Sequence, residues 1–118
     1  MKKYRIGIIG VGYVGGALRH WFGSNPERFE VFLYDKYKEI GSPEEVNEAD
    51  VVFIATPTPF RENGGGYDDS AVREAVGFVK DGKTVVIKSS IIPGTTERLQ
   101  KESPHKVILF NPEFLRAK

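Results

Sequence analysis

Three glycines, one aspartate and a few loop hydroxyls carry most of the chemistry open to this chain. Gly10, Gly12 and Gly15 stand at the G-x-G-x-x-G spacing in IGVGYVG. In that pattern the first glycine allows a tight turn, the second lets backbone approach a pyrophosphate, and the third lets a helix pack closely on a strand. Asp35 follows, twenty residues beyond Gly15. A carboxylate at that distance, at the end of the next strand, accepts hydrogen bonds from the ribose hydroxyls of an adenosine. It also repels a 2′-phosphate, so the pair of signals reads as a dinucleotide seat for NAD rather than NADP. Lys36, next to Asp35, softens that repulsion slightly. An aspartate that merely ends a strand is the plainer alternative, and the spacing argues against it. Further along come Thr56-Pro57-Thr58-Pro59, Ser89-Ser90 and Asn111-Pro112-Glu113, each placing hydroxyls or a carboxylate just after an apolar run.

Those groups need a scaffold. Ile6, Ile8 and Ile9 lie in a short apolar run that fits a central parallel strand covered on both faces. Val14, Leu18 and Phe22 recur as a helical stripe just after the glycines. The first-turn N–H groups of such a helix lack partners within it, carry partial positive charge and suit an anion. Strands are expected at Phe29 to Tyr34, Val51 to Ala55, Thr84 to Lys88 and Lys106 to Phe110, with a short edge strand near Glu39 and Ile40. Ser42, Pro43 and Glu45 predict a brief capped helix from Pro43 to Asn47. Val72, Ala75, Val76 and Val79 predict a second, capped by Asp69 or Ser70 and ended by Asp81-Gly82. Thr95 is the expected cap of a third, anchored by Leu99 and running to about Glu102 before Pro104. Phe60 to Asp69, with Gly64, Gly65 and Gly66, reads as a mobile surface loop rather than a phosphate cradle.

Strands alternating with helices predict an α/β, Rossmann-type doubly wound fold: a mainly parallel sheet of five or six strands with helices on both faces. Ligands in such sheets bind beyond the carboxyl ends of the strands. The glycine loop, Asp35, Thr56 to Pro59, Ser89 to Gly94 and Asn111 to Glu113 are all expected at that one rim.

The remaining composition is bland. The 118 residues read as a single dinucleotide-binding domain, with a net charge of +1 that gives no case for nucleic acid or membrane partners. No stretch reads as a membrane span or signal peptide, so a cytoplasmic protein is expected. There is no cysteine, hence no disulfide, thiolate metal site or thiol nucleophile on this chain. His20 and His105 stand apart without ligand spacing, and no metal site is expected.

At this point GVGYVG, TPTP, KSSIIPGTTERL and NPEFLR together resemble the NAD-binding N-terminal domain of the UDP-glucose/GDP-mannose dehydrogenase family. Those enzymes oxidise a nucleotide-sugar alcohol to the uronate with NAD. The resemblance implies that Gly10, Val11, Gly12, Tyr13, Val14 and Gly15 line the pyrophosphate and that Asp35, with Lys36 beside it, holds the adenosine ribose. It puts Thr56, Pro57 and Thr58 toward the nicotinamide half. Ser90 falls where the family has a threonine near the sugar and its water, and Glu113 where it has a carboxylate beside the oxidation site. These two are the catalytic candidates.

The chain departs from the family in three places. Only twenty residues separate Asp35 from Thr56, fewer than is usual. Ala117 follows Arg116 where the family motif has a second carboxylate. The family's nucleophilic cysteine, in a C-terminal sugar-binding region, is absent. The expected function is therefore the cofactor half of a nucleotide-sugar 6-dehydrogenase, not catalytically complete alone and needing the missing region to meet its nucleotide sugar. Homo-oligomer formation is left open. A naturally short, non-catalytic nucleotide-binding or partner-assembly module is the alternative. Another NAD-dependent dehydrogenase would share the glycine loop but not the later motifs.

Overall fold

The computed structural model describes residues 3–58, 60–61, 66–89, 91 and 94–111. Along the chain these form β1 (Tyr4–Ile9), α1 (Tyr13–Gly23), β2 (Phe29–Asp35), β3 (Ile40–Gly41), α2 (Pro43–Val46) and β4 (Val51–Ile54). Then come β5 (Phe60–Arg61), β6 (Gly66–Tyr67), α3 (Ser70–Phe78), β7 (Thr84–Ile87), α4 (Thr95–Glu102) and β8 (Val107–Phe110). One six-stranded sheet runs β3-β2-β1-β4-β7-β8, parallel throughout except for the antiparallel edge β3. This is the Rossmann-type, doubly wound sheet that the alternation of elements predicts.

The winding decides which faces are covered. From β1 the chain steps one way to β2 through α1, then reverses and steps the other way to β4, β7 and β8 through α2, α3 and α4. Right-handed crossovers put helices on opposite faces when the direction of travel reverses. Phe22 and Leu18 of α1 accordingly pack with Ile6, Ile8, Val31 and Phe53 on one face. Val46 of α2, Val72 and Val76 of α3, and Leu99 of α4 pack with Ile9, Val52, Ile54 and Val85 on the other. Period-two alternation is what divides β1 and β4 between the two cores. On the α1 face, rows of paired residues run from Ile6 through Val51 and Thr84 to Val107, and from Ile8 through Phe53 and Val86 to Leu109. Val107 and Leu109, at the far end of those rows, stay 55% and 50% exposed.

Register aligns the carboxyl ends. Tyr34, Ile9, Ile54, Ile87 and Phe110 form one row across five strands. The ladder closes one residue further on, with Gly10 N donating to Tyr34 O, Ala55 N to Ile9 O, Lys88 N to Ile54 O and Asn111 N to Ile87 O. The expected single rim is therefore a row of adjacent residues: Asp35, Gly10, Ala55, Lys88 and Asn111.

Local details differ from the sequence expectations in three respects. The segment from Phe60 to Asp69 is more than a loop, because Phe60–Arg61 pairs antiparallel with Gly66–Tyr67. Helix α3 stops at Phe78, before Asp81-Gly82, because Val79 turns extended and buries its side chain. Its N-cap is Asp69, one of the two residues expected there, with no side-chain hydrogen bond of its own, and the Asp68 carboxylate just before it accepts from Ser70 N at 3.0 Å. Helix α4 is entered through Gly94 at φ +89°, a conformation that favours glycine, and Thr95 is its first residue, almost wholly buried. The Ser42 cap on Glu45 N and the proline after it are as expected.

Asn47 fastens α2 to α3. Its Nδ2 donates to Pro43 O (2.9 Å) and Phe78 O (2.8 Å), and its Oδ1 accepts from Lys80 N (2.9 Å). It thereby closes the carboxyl end of α3, which has no αL cap of its own. Asn47→Ala should cost about 1–3 kcal/mol in urea unfolding. A loss below about 0.5 kcal/mol would mean that water replaces those bonds freely.

Candidate functional site

The aligned carboxyl ends open into a cleft of about 470 Å³, walled by the glycine loop, the end of β2, the loop after β4 and one side of α3. Its three glycines have three different reasons. Gly10 turns the chain at φ +93°, and a Cβ there would lie 2.8–2.9 Å from the backbone of Ala55 and Thr56. The turn thus lies flat against the end of β4. A Cβ on Gly15 would fall 1.8 Å from Gly10 O, so α1 can sit this close to β1 only without one. A Cβ on Gly12 would meet nothing within 4 Å. Gly12 therefore borders open space in the cleft, at the start of a helix that no side chain caps. Backbone N–H groups with partial positive charge facing such a space form a seat for a diphosphate.

Asp35 is only 8% exposed and its carboxylate already holds backbone. Oδ2 accepts from Val11 N at 2.7 Å, and Oδ1 accepts from Tyr37 N and Lys38 N at 3.0 and 3.1 Å. Sequence reasoning gave this residue a ribose and nothing else. A carboxylate has about four acceptor positions. Three N–H groups leave one of them, on Oδ2, for a sugar hydroxyl. Lys38 completes the arrangement by donating from Nζ to Val11 O at 2.5 Å. Both backbone polar groups of Val11 are thus tied to the end of β2, which fixes the peptides on either side of it.

Gly10, Gly12, Tyr13, Val14, Asp35 and Lys36 all border the cleft, as expected. Val11 and Gly15 do not: the first is 6% exposed and spends its amide on Asp35, and the second is buried under the turn at Gly10. Lys36 reaches across the mouth to Glu74 of α3 at 3.5 Å, with both side chains about half exposed. On the other side, Thr56, Pro57 and Thr58 line the cleft. The Thr56 hydroxyl is buried there and has no hydrogen-bond partner among the described residues. Ser90 and Glu113, the catalytic candidates, lie outside the described residues, as do Pro59, Pro112 and Ala117.

Sequence reasoning gave no role to Lys38, Glu74 or Phe78 and gave Ser89 only a place on the rim. Lys38 and Ser89 are braces: Ser89 Oγ donates to Thr56 O at 2.7 Å and so joins the ends of β7 and β4. Glu74 and Phe78 belong to a second stripe on α3, with Ala71 and Ala75, at i, i+3, i+4 and i+7. That spacing was visible beside the core stripe of Val72, Val76 and Val79. Its mixed polarity hid it from a search for apolar faces.

Open space over Gly12, an uncapped helix start, a carboxylate with one free position and an unpartnered Thr56 hydroxyl fit a bound NAD. Comparison with known proteins agrees. Residues 37–118 match the model of the UDP-glucose/GDP-mannose dehydrogenase family, NAD binding domain. A UDP-glucose 6-dehydrogenase of Campylobacter jejuni is 26% identical over 145 residues, covering 95% of this chain and 37% of its own length. That alignment is longer than the 118-residue chain, so the relative carries residues missing here. A UDP-N-acetyl-D-mannosamine dehydrogenase of Methanococcus maripaludis is 34% identical over 77 residues, 59% of this chain and 18% of the relative. Among solved structures, a UDP-glucose dehydrogenase of Pyrobaculum islandicum superposes with a TM-score of 0.71 at 26% identity. It covers 98% of this chain and 37% of the archaeal one, so this chain spans well under half of such relatives.

The glycine geometry separates binding from folding. Gly12→Ala should leave the melting temperature within a few degrees of the parent while weakening NAD about tenfold or more, since its methyl enters the open space. Gly15→Ala should lower the melting temperature sharply before any ligand is added. Equal losses of stability in the two variants would contradict the division of roles.

Proposed function

The chain belongs to the UDP-glucose/GDP-mannose dehydrogenase family as an NAD-binding domain, and we propose on that premise that it is the cofactor half of an oxidoreductase acting on a nucleotide sugar. When bound, NAD supplies the hydride acceptor. Residues 1–118 form the one domain that seats it, and the sugar is met only with a further region that supplies the sulfur nucleophile this chain lacks. The observation that carries this reading is the rim itself. The glycine loop, Asp35 and the Thr56–Thr58 loop converge on one cleft with its anion seat open.

Within that cleft the diphosphate lies over Gly12 and the first turn of α1. The adenosine ribose offers a hydroxyl to the remaining position on Asp35. A 2′-phosphate in its place would face a carboxylate with little water around it, which selects NAD over NADP. Thr56 and Thr58 turn to the nicotinamide side. Ser90 and Glu113 are assigned by the family motif to the sugar and its water, where a hydroxyl and a carboxylate can hold and deprotonate a nucleophile. The setting is cytoplasmic, and the substrate is UDP-glucose, GDP-mannose or a relative of these.

A second reading is favoured by one observation. The C. jejuni relative has residues within its matched span that this chain lacks, which suits a pared-down nucleotide-binding or assembly module without catalysis. The reading frame decides between them: continuation into a cysteine-bearing domain supports the enzyme, and a stop codon supports the module.

Calorimetry should show NAD binding to the 118-residue chain, with NADP at least about tenfold weaker. Asp35→Ala should weaken NAD and also destabilise the unliganded protein, each by about 1–3 kcal/mol, because the same carboxylate serves ribose and loop. Absence of NAD binding at millimolar concentration would sink the proposal. An Asp35→Ala chain as stable as its parent would refute the dual role.

A further inference from the structure

The cleft continues past Asp35 into a slot between the end of β2 and helix α3. Its inner wall is apolar: Tyr34 and Phe78 meet edge to face with ring centroids 5.8 Å apart, and Ala71 and Ala75 leave room beside them. A flat heterocycle fits such a wall. The mouth is different. There the Glu74 carboxylate and the Lys36 ammonium stand 3.5 Å apart, one purely an acceptor and the other purely a donor. Both are about half exposed, so their pairing contributes little to the fold. One acceptor beside one donor is a readable pattern. Adenine presents an amino donor beside a ring-nitrogen acceptor, whereas a 6-oxopurine presents an oxygen at the same position.

Resting on the NAD reading above, we propose that Glu74, with Lys36 beside it, reads the 6-amino group of the adenine and rejects a 6-oxopurine. The order of groups along the cleft supports this. Asp35 marks the ribose, Lys36 follows it directly in the chain, and Glu74 meets Lys36 across the slot. A base attached to that ribose and laid against Tyr34 and Phe78 therefore turns an edge toward the pair. The carboxylate keeps acceptor positions for an amino group after its contact with Lys36. A 6-oxopurine in the same pose turns its oxygen to the carboxylate and its N1–H to the ammonium, so the contacts to Glu74 and to Lys36 are both mismatched. The apolar wall itself does not distinguish the two purines, because both are flat and of similar size.

The test is a titration of the 118-residue chain with NAD and with nicotinamide hypoxanthine dinucleotide, in which oxygen replaces the 6-amino group of the purine and N1 carries a proton. NAD should bind about tenfold more tightly. In Glu74→Gln the ratio should fall toward one, because an amide can turn either its oxygen or its nitrogen to the base. Glu74→Ala should also flatten the ratio, and thermal melting of both variants checks that the fold is kept. Equal binding of the two dinucleotides by the parent chain overturns the proposal. Discrimination that survives in both variants overturns the assignment to Glu74. If neither dinucleotide binds, the cofactor seat itself is misread and this inference falls with it.

Discussion

The bond from Val11 N to the Asp35 carboxylate is the interaction on which the cleft depends. A charge so nearly excluded from water is tolerable only when its oxygens are satisfied. Here three backbone N–H groups satisfy it, and the bond at 2.7 Å is short, as expected for an ionised acceptor. The other two donors come from the turn just after β2, so one carboxylate shapes both that turn and the glycine loop. With Lys38 on the carbonyl of Val11, the loop arrives at its ligand already ordered. Binding then does not have to supply that ordering entropy, which is a large part of what pre-formed sites gain.

This puts two demands on one side chain. A carboxylate that gave both oxygens wholly to the ribose would leave Val11 N unpaired at a buried position, at a cost of about 1–3 kcal/mol. One that gave both wholly to backbone could not select the sugar. The arrangement divides them, with Oδ1 serving the local turn and Oδ2 shared between the loop and the open cleft. Selection against a 2′-phosphate needs only the charge, which the backbone bonds leave in place.

The fold was readable because its signals are local. Glycine spacing, the apolar run at β1, the Ser42-Pro43 cap and the stripe from Val72 to Val79 each depend on residues a few positions apart, and each survived into three dimensions. The bracing of the cleft was less readable. Lys38 and Val11 stand 27 residues apart, and Ser89 and Thr56 stand 33 apart. Nothing in the pattern at either end of such a pair announces the other. The cap of α4 was misplaced by one residue, at Thr95 instead of Gly94, for a related reason: adjacent residues could each cap, and backbone geometry chose between them. Phe60 to Tyr67 reads as a loop from composition, yet backbone pairing there needs no particular side chains.

The point where strand order reverses explains why the site has two unlike ends. The chain leaves β1 toward β2 on one side and returns to β4 on the other, so the loops after β1 and β4 part and open a crevice between them. Each flank of that crevice is braced by a side chain reaching from the outer strand's end to the inner loop's backbone. Asp35 does so from β2 to Val11, and Ser89 from β7 to Thr56. The first brace is a charge that borders the cleft. The second is a hydroxyl bonded to the Thr56 carbonyl, and the Thr56 hydroxyl has no partner among the described residues. A ligand with a polar, charged middle and two different heterocycles suits such a crevice. In the proposed seat the diphosphate would meet amides that neither brace consumes, and each half would meet a flank stiffened from outside. The flanks are thus stiffened by side-chain braces while the space over Gly12 stays open.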